Sequence, residues 1–329
     1  MNKKKVVVYK QLAPELLAEL EQRFAVTAFD GVNDGNRDAF FAALADADGM
    51  IGASVKFDAA TLARAERLEI AATISVGFDT FDTGYLKERG IALTHTPGVL
   101  TETVADTVFA LILASARRVV ELAEFVKAGR WQASIGPALF GTDVHHKTIG
   151  FLGMGRIGAA VARRARLGFA MNVIYHDLHP APAVERDYEA VRQPFETVLA
   201  EADFVCVLLP LLETTRHLVD AAALARMKKT AILINGSRGA IVDETALIAA
   251  LRAGTIAGAG LDVFETEPLP VTSPLTGMAN VVALPHIGSA THETRAAMAA
   301  TAVADLIAGL EGRKPAHLVD DSVWTARHR

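Results

Sequence analysis

Only one cysteine stands among the 329 residues. Cys206 therefore has no partner for an intramolecular disulfide and cannot furnish a cysteine zinc cage. It lies inside the apolar run FVCVLLP, as a small core residue would. A chain that does without disulfides suits a reducing cytoplasm. No apolar run reaches 18 residues, so no segment is expected to span a bilayer. The basic start MNKKK is followed by only four apolar residues, VVVY, too few for a secretory signal. The net charge of −5 gives no general attraction to nucleic acid or to an anionic membrane. HExxH, CxxC and DxDxDG spacings are missing, so no metal is expected. Ser237 lacks the GxSxG turn of a serine hydrolase. There is no internal repeat, low-complexity stretch or disordered linker.

Half of the chain is apolar and about a fifth is charged, the balance of a globular protein with ample material for cores. Its length is too great for one ordinary core, and two domains are the default. The stretch with the most information is Lys147 to Asp177, KTIGFLGMGRIGAAVARRARLGFAMNVIYHD. Thr148 to Leu152 is a short apolar run of the kind that forms a buried parallel strand. Gly153, Gly155 and Gly158 follow at once, then an alanine-rich helix over Ala159 to Leu167 and a second strand over Asn172 to Tyr175. Asp177 closes the unit, 19 residues past Gly158.

Each part has a physical task in holding a dinucleotide. Gly153 permits the tight turn, Gly155 offers no Cβ to keep a pyrophosphate away, and Gly158 lets helix and strand pack closely. The free N–H groups at the helix start then hold the phosphate. A carboxylate at Asp177 accepts from both ribose hydroxyls and repels a 2′-phosphate. No arginine follows until Arg186, so the reading is NAD. NADP stays the alternative, because His176 or His179 can meet a phosphate.

Strands and helices alternate on both sides of this unit. Before it come strands Lys5–Tyr9, Ala25–Phe29, Gly49–Ile51, Ile70–Ser75 and Ala92–Thr94, with helices between them. After it the rhythm continues to about Gly288, and a last helix spans Thr291 to Glu311. The pattern predicts an α/β fold of two doubly wound parallel sheets joined by crossing helices. Residues 1–99 and 290–329 would form one discontinuous substrate domain and residues 100–289 the cofactor domain. Thr101 to Lys127 reads as one long helix, apolar on more than one side, so it is expected to cross between domains and to meet a partner subunit. The irregular WQASIGPALFGTDVHH after it is a candidate arm for that interface.

Three titratable residues follow predicted strands: Arg238 in INGSRG, Glu267 in FETEP and His286 in LPHIGSAT. Ligands of open α/β sheets bind at the carboxyl ends of strands, so all three are expected at one crevice. Reducing a 2-keto acid with hydride calls for a cation, a proton donor and a group that keeps that donor charged. Arg238 suits the first as a fork-shaped permanent charge. His286 suits the second. Glu267 suits the third if it touches the imidazole.

The chain resembles the D-isomer-specific 2-hydroxyacid dehydrogenases along essentially its whole length. Within them it is similar to the bacterial 2-ketogluconate and glyoxylate/hydroxypyruvate reductases. The resemblance is carried by SVGFDTFD (75–82), TPGVLTETVADTVFAL (96–111), GTDVHHKTIGFLGMGRIG (141–158), INGSRG (234–239), GLDVFETEP (260–268) and PHIGSATHETR (285–295). It implies that Arg238, Glu267 and His286 are the substrate cation, the histidine's partner and the acid/base. It implies a grip on the substrate carboxylate by the backbone at Val76 and Gly77, with Ser54 and Leu100 beside the substrate tail. For the cofactor it implies Arg156 and Ile157 at the pyrophosphate, Thr103 near the nicotinamide and Asp262 near its amide. Leu209, Pro210, Thr215, Asn235, Gly236, Ser237 and Gly288 complete that set. A homodimer through the cofactor domain is the family habit. Members of this group that prefer NADP have arginine after the second strand, where this chain has Asp177-Leu178-His179.

Two rival readings remain. A corepressor-like dinucleotide sensor would not need Arg238, Glu267 and His286 together. A 3-phosphoglycerate dehydrogenase would call for more cations around 52–56 and 76–80, where only Lys56 stands.

Overall fold

Short apolar strands alternate with helices, and every strand that pairs within a sheet does so in parallel. A computed structural model describes residues 3–327. In chain order the first elements are β1 (Lys5–Val8), α1 (Pro14–Arg23), β2 (Ala25–Ala28), α2 (Arg37–Ala45), β3 (Gly49–Gly52), α3 (Ala59–Ala63), β4 (Ile70–Thr73), α4 (Thr83–Glu88) and β5 (Ala92–Thr94). Next come α5 (Thr101–Ala116), α6 (Val119–Lys127), β6 (Thr148–Leu152), α7 (Arg156–Phe169), β7 (Asn172–His176), α8 (Pro182–Tyr188), β8 (Val191–Arg192), α9 (Phe195–Glu201) and β9 (Phe204–Val207). The chain ends with α10 (Ala221–Arg226), β10 (Ile232–Asn235), α11 (Glu244–Ala253), β11 (Gly258–Leu261), β12 (Val281–Ala283), α12 (His292–Leu310) and α13 (Asp321–Arg327).

The chain divides into two units, one made by the residues up to Leu100 and from Ala290 on, the other by Thr101–Ser289. The smaller sheet has the order β2-β1-β3-β4-β5, the flavodoxin-like arrangement. Helix α12 lies flat on it. A Cβ on Gly309 would stand 2.4 Å from Ile70, and one on Gly49 would stand 2.9 Å from Leu310. The absence of a Cβ at these two points leaves room for the ends of the Ile70 and Leu310 side chains between helix and strands.

The larger sheet runs β12-β11-β10-β9-β6-β7-β8. Read from β6 this is the Rossmann order with one strand added at the far edge. Its middle strands are buried on both faces, which explains their continuous apolar sequences. Cys206 lies on β9 within this core, fully buried, and burial pushes its thiol pKa far up. Among the described residues, no helix is long and apolar enough to cross a membrane.

One sequence expectation is corrected here. Thr101 to Lys127 is two helices, not one. The break falls at Arg118, which sits in the left-handed region at φ +54°. The chain returning through residues 137–142 supplies the reason. Thr142 donates its N–H to the Ala116 carbonyl at 2.8 Å, and a Cβ on Gly141 would meet that same oxygen at 2.4 Å. The returning segment thus caps α5 where another helical turn would have done so. Arg118 completes the corner, forking onto Glu121 and donating to the Ala138 carbonyl. The stretch read as an irregular arm carries one 3₁₀ turn, Pro137–Leu139.

Candidate active site

Arg238, Glu267 and His286 follow β10, β11 and β12, three adjacent parallel strands of the larger sheet. Side chains beyond neighbouring parallel strands share one edge of the sheet. His286 Nδ1 lies 2.7 Å from Glu267 Oε2. Glu267 Oε1 accepts the Phe264 N–H at 3.0 Å, which fixes the carboxylate toward the imidazole. Burial works to raise the Glu267 pKa. The hydrogen bonds from His286 and the Phe264 N–H, with the His286 and Arg238 charges, outweigh it and hold the pKa below the ordinary glutamate value.

Two buried polar side chains build the loops that carry these groups. Asn235, 1 % exposed, accepts from the Ser237 N–H and hydroxyl and donates to the Arg238 carbonyl, tying the INGSRG turn to the end of β10. Asp262, 3 % exposed, accepts the N–H groups of Ile287 and Gly288 at 2.7 and 2.8 Å. Burial raises its pKa overall, against the pull of those two hydrogen bonds. Both its oxygens therefore brace the loop that presents His286, which itself sits at φ +53°. Left-handed backbone is costly for a residue with a Cβ and persists only where the surroundings impose it.

The glycine-rich turn fits a dinucleotide. Gly153 has φ +98°, and a Cβ there would stand 2.8 Å from the Leu208 carbonyl. A Cβ on Gly158 would meet the Gly153 oxygen at 2.7 Å. A Cβ on Gly155 would point into open space, with nothing within 4 Å, so its absence leaves room beside the N-terminus of α7. Arg156 and Ile157 are the first residues of that helix. Asp177 accepts the Met154 N–H at 2.8 Å and the His179 N–H at 3.1 Å, so it braces the turn. His176 turns instead to the Gln193 carbonyl. Thr215 bonds to the Pro210 carbonyl and the Leu212 N–H, shaping the loop after Leu209.

The sequence model of the D-isomer specific 2-hydroxyacid dehydrogenase NAD-binding domain matches residues 109–288. A glyoxylate/hydroxypyruvate reductase B of Yersinia enterocolitica is 57 % identical over 321 residues, 98 % of each chain. This chain belongs to the D-isomer-specific 2-hydroxyacid dehydrogenases. Solved structures agree with that membership. A protein of Thermus thermophilus is 43 % identical with a TM-score of 0.88, over 96 % of this chain and 100 % of that one. An NADPH-dependent glyoxylate/hydroxypyruvate reductase of Sinorhizobium meliloti, in complex with NADP and malonate, is 32 % identical with a TM-score of 0.85, over 97 % of each chain.

In this dehydrogenase Arg238, Glu267, His286 and the expected cofactor residues all fall within the Thr101–Ser289 unit. Thr103 is in the first turn of α5. Gly236 packs under that helix, where a Cβ would meet Val108 at 2.6 Å. Gly288 stands against Asp262 and Val104. Ser54, Val76, Gly77 and Leu100 belong to the other unit. Ser54 is exposed at φ +65° after β3, the Val76-Gly77 pair follows β4, and Leu100 is 8 % exposed.

Two residues of consequence escaped the sequence reading. A Cβ on Gly239 would stand 1.8 Å from the Phe264 carbonyl carbon and 2.0 Å from its oxygen, so the loops bearing Arg238 and Glu267 are in backbone contact here. Arg192, on edge strand β8, donates to the carbonyls of Asp177 and Leu178. A tally of arginines directly after the second strand stops at Arg186, which pairs with its neighbour Asp187. Among the described residues, no group of three or more His, Cys, Asp or Glu side chains forms a metal site.

Proposed function

We propose that this dehydrogenase reduces glyoxylate to the achiral 2-hydroxyacid glycolate and hydroxypyruvate to the D-isomer of its 2-hydroxyacid. The observation that carries this is the 2.7 Å His286–Glu267 pair at the strand ends next to Arg238. A carboxylate only accepts, so Nδ1 bears the proton of that contact and Nε2 is left to face the substrate oxygen. When bound, the nicotinamide supplies the hydride that the keto carbon receives. His286 delivers a proton from Nε2 to the keto oxygen, giving the hydroxyl. Arg238 holds the carboxylate and offsets negative charge that develops on the oxygen. The backbone at Val76 and Gly77 grips the substrate carboxylate, and Ser54 and Leu100 lie beside its tail. Steady-state oxidation of NADH and of NADPH against glyoxylate, hydroxypyruvate, 2-ketogluconate and 3-phosphohydroxypyruvate tests the reading. Turnover of the first two supports it. Preference for the phosphorylated acid, or inactivity toward all four, discards it.

NAD is proposed as the preferred cofactor, because Asp177 follows the second strand of the glycine unit, where a carboxylate would accept from the adenosine ribose. Replacing Asp177 with Ala should raise the Michaelis constant for NADH about tenfold, the weight of one hydrogen bond to a charged group. The NADPH/NADH ratio of kcat/KM should rise with it, and an unmoved ratio would remove Asp177 from cofactor choice.

The dehydrogenase is further proposed to work in the cytoplasm as a homodimer. Helix α6 buries none of its residues, and Val119, Val120, Val126, Trp131, Ile135 and Phe140 are all exposed on it and the segment after it. Exposed apolar groups concentrated in one segment mark an interaction surface. Sedimentation equilibrium should give twice the chain mass, and Val126→Asp should shift it toward the monomer. A monomer at micromolar concentration contradicts the assignment.

A further inference from the structure

We propose that His95, seconded by Ser75, is a positioning residue that orients the peptides gripping the substrate carboxylate. The inference rests on the grip assigned above to Val76 and Gly77. His95 lies one residue past β5, and residues 75–78 lie just past β4, its neighbour in the sheet. His95 Nδ1 is 2.9 Å from the Val76 carbonyl oxygen. Since a carbonyl only accepts, Nδ1 carries the proton. The ring also sets its edge against Phe78, with centroids 5.6 Å apart. Ser75 donates its hydroxyl to the next carbonyl, Gly77, at 2.6 Å, and its Oγ is 2.7 Å from Thr73 Oγ1.

The peptide bond is planar and trans, so its C=O and N–H point in opposite directions. Turning the Val76 carbonyl onto His95 aims the Gly77 N–H away from His95. Turning the Gly77 carbonyl onto Ser75 aims the Phe78 N–H away from Ser75. Among the described residues, neither N–H meets an acceptor. Consecutive unpartnered N–H groups of fixed direction make an anion-binding concavity, and Gly77 adds no side chain to crowd it. His95 is itself anchored. Its N–H donates to the His317 carbonyl at 3.1 Å, and the His317 ring bonds to Asp305, a 3 % exposed side chain of α12.

His95→Ala frees the Val76–Gly77 peptide to turn over. The Michaelis constant for glyoxylate should then rise about tenfold, while kcat and the constant for NADH stay within about twofold. His95→Asn places an amide nitrogen where Nδ1 stood and should bring the glyoxylate constant back to within about threefold of the parent. An unchanged constant in the Ala variant overturns the proposal. So does an Asn variant no better than Ala, or a joint fall of kcat and both affinities. If the Ala variant fails to fold, Ser75→Ala is read instead. It should raise the glyoxylate constant alone, and no rise rejects the idea. His286→Ala separates the levels: wild-type turnover there sinks the reductase reading itself. A dead His286 variant beside a normal glyoxylate constant in His95→Ala sinks only this inference.

Discussion

His286→Ala should turn glyoxylate over roughly 10²–10⁴-fold more slowly than the parent, the usual weight of a positioned general acid. The Michaelis constant for NADH should stay put, because the imidazole sits at the ends of β11 and β12 while the glycine turn that holds the phosphates follows β6. Glu267→Gln should fall in the same direction by a smaller factor. It keeps the shape of the contact to Nδ1 but removes the negative charge facing the imidazole. Single-turnover rates at saturating cofactor measure both. Parent-like turnover in the His286 variant would end its assignment as proton donor.

Gly239→Ala should be the most damaging small substitution in the larger domain. The new methyl would have to occupy space already taken by the Phe264 carbonyl, at 1.8 and 2.0 Å. A flexible side chain can swing clear of such a clash, but backbone cannot. The cost should therefore reach the upper end for overpacking, about 3 kcal/mol, or roughly 6–12 °C in melting temperature for a domain of this size. Even protein that folds would carry Arg238 and Glu267 pushed apart, so turnover should fall with stability. Thermal melts together with kcat would check this. A melting temperature within about 2 °C of the parent would mean that the two loops separate easily.

How much of the fold and site is legible in the sequence depends on the distance along the chain between the interacting residues. The β6–α7–β7 unit could be read because strand, glycines, helix and carboxylate follow one another within 31 residues. The strands that carry Arg238, Glu267 and His286 could be read because each is a short apolar run closed by a polar loop. The break at Arg118 could not, since its cause is the return of Gly141 and Thr142 from more than 20 residues downstream. Gly239 looked like an ordinary turn glycine until Phe264 was seen to press on it. Asp177 read as a ribose ligand, but its bond to the Met154 N–H joins residues 23 apart and has no local signature. Strand β8 has two residues, too few to show any periodicity, and with it Arg192 stayed out of view.

The lone thiol in the centre of the larger sheet has a practical use. Alkylation needs a thiolate in contact with reagent, and at Cys206 neither condition holds while β9 is flanked by β6 and β10. Its labelling rate in native buffer is thus a clock for rare openings of that domain. A single mass shift per chain would time those openings with no engineered probe and no competing site.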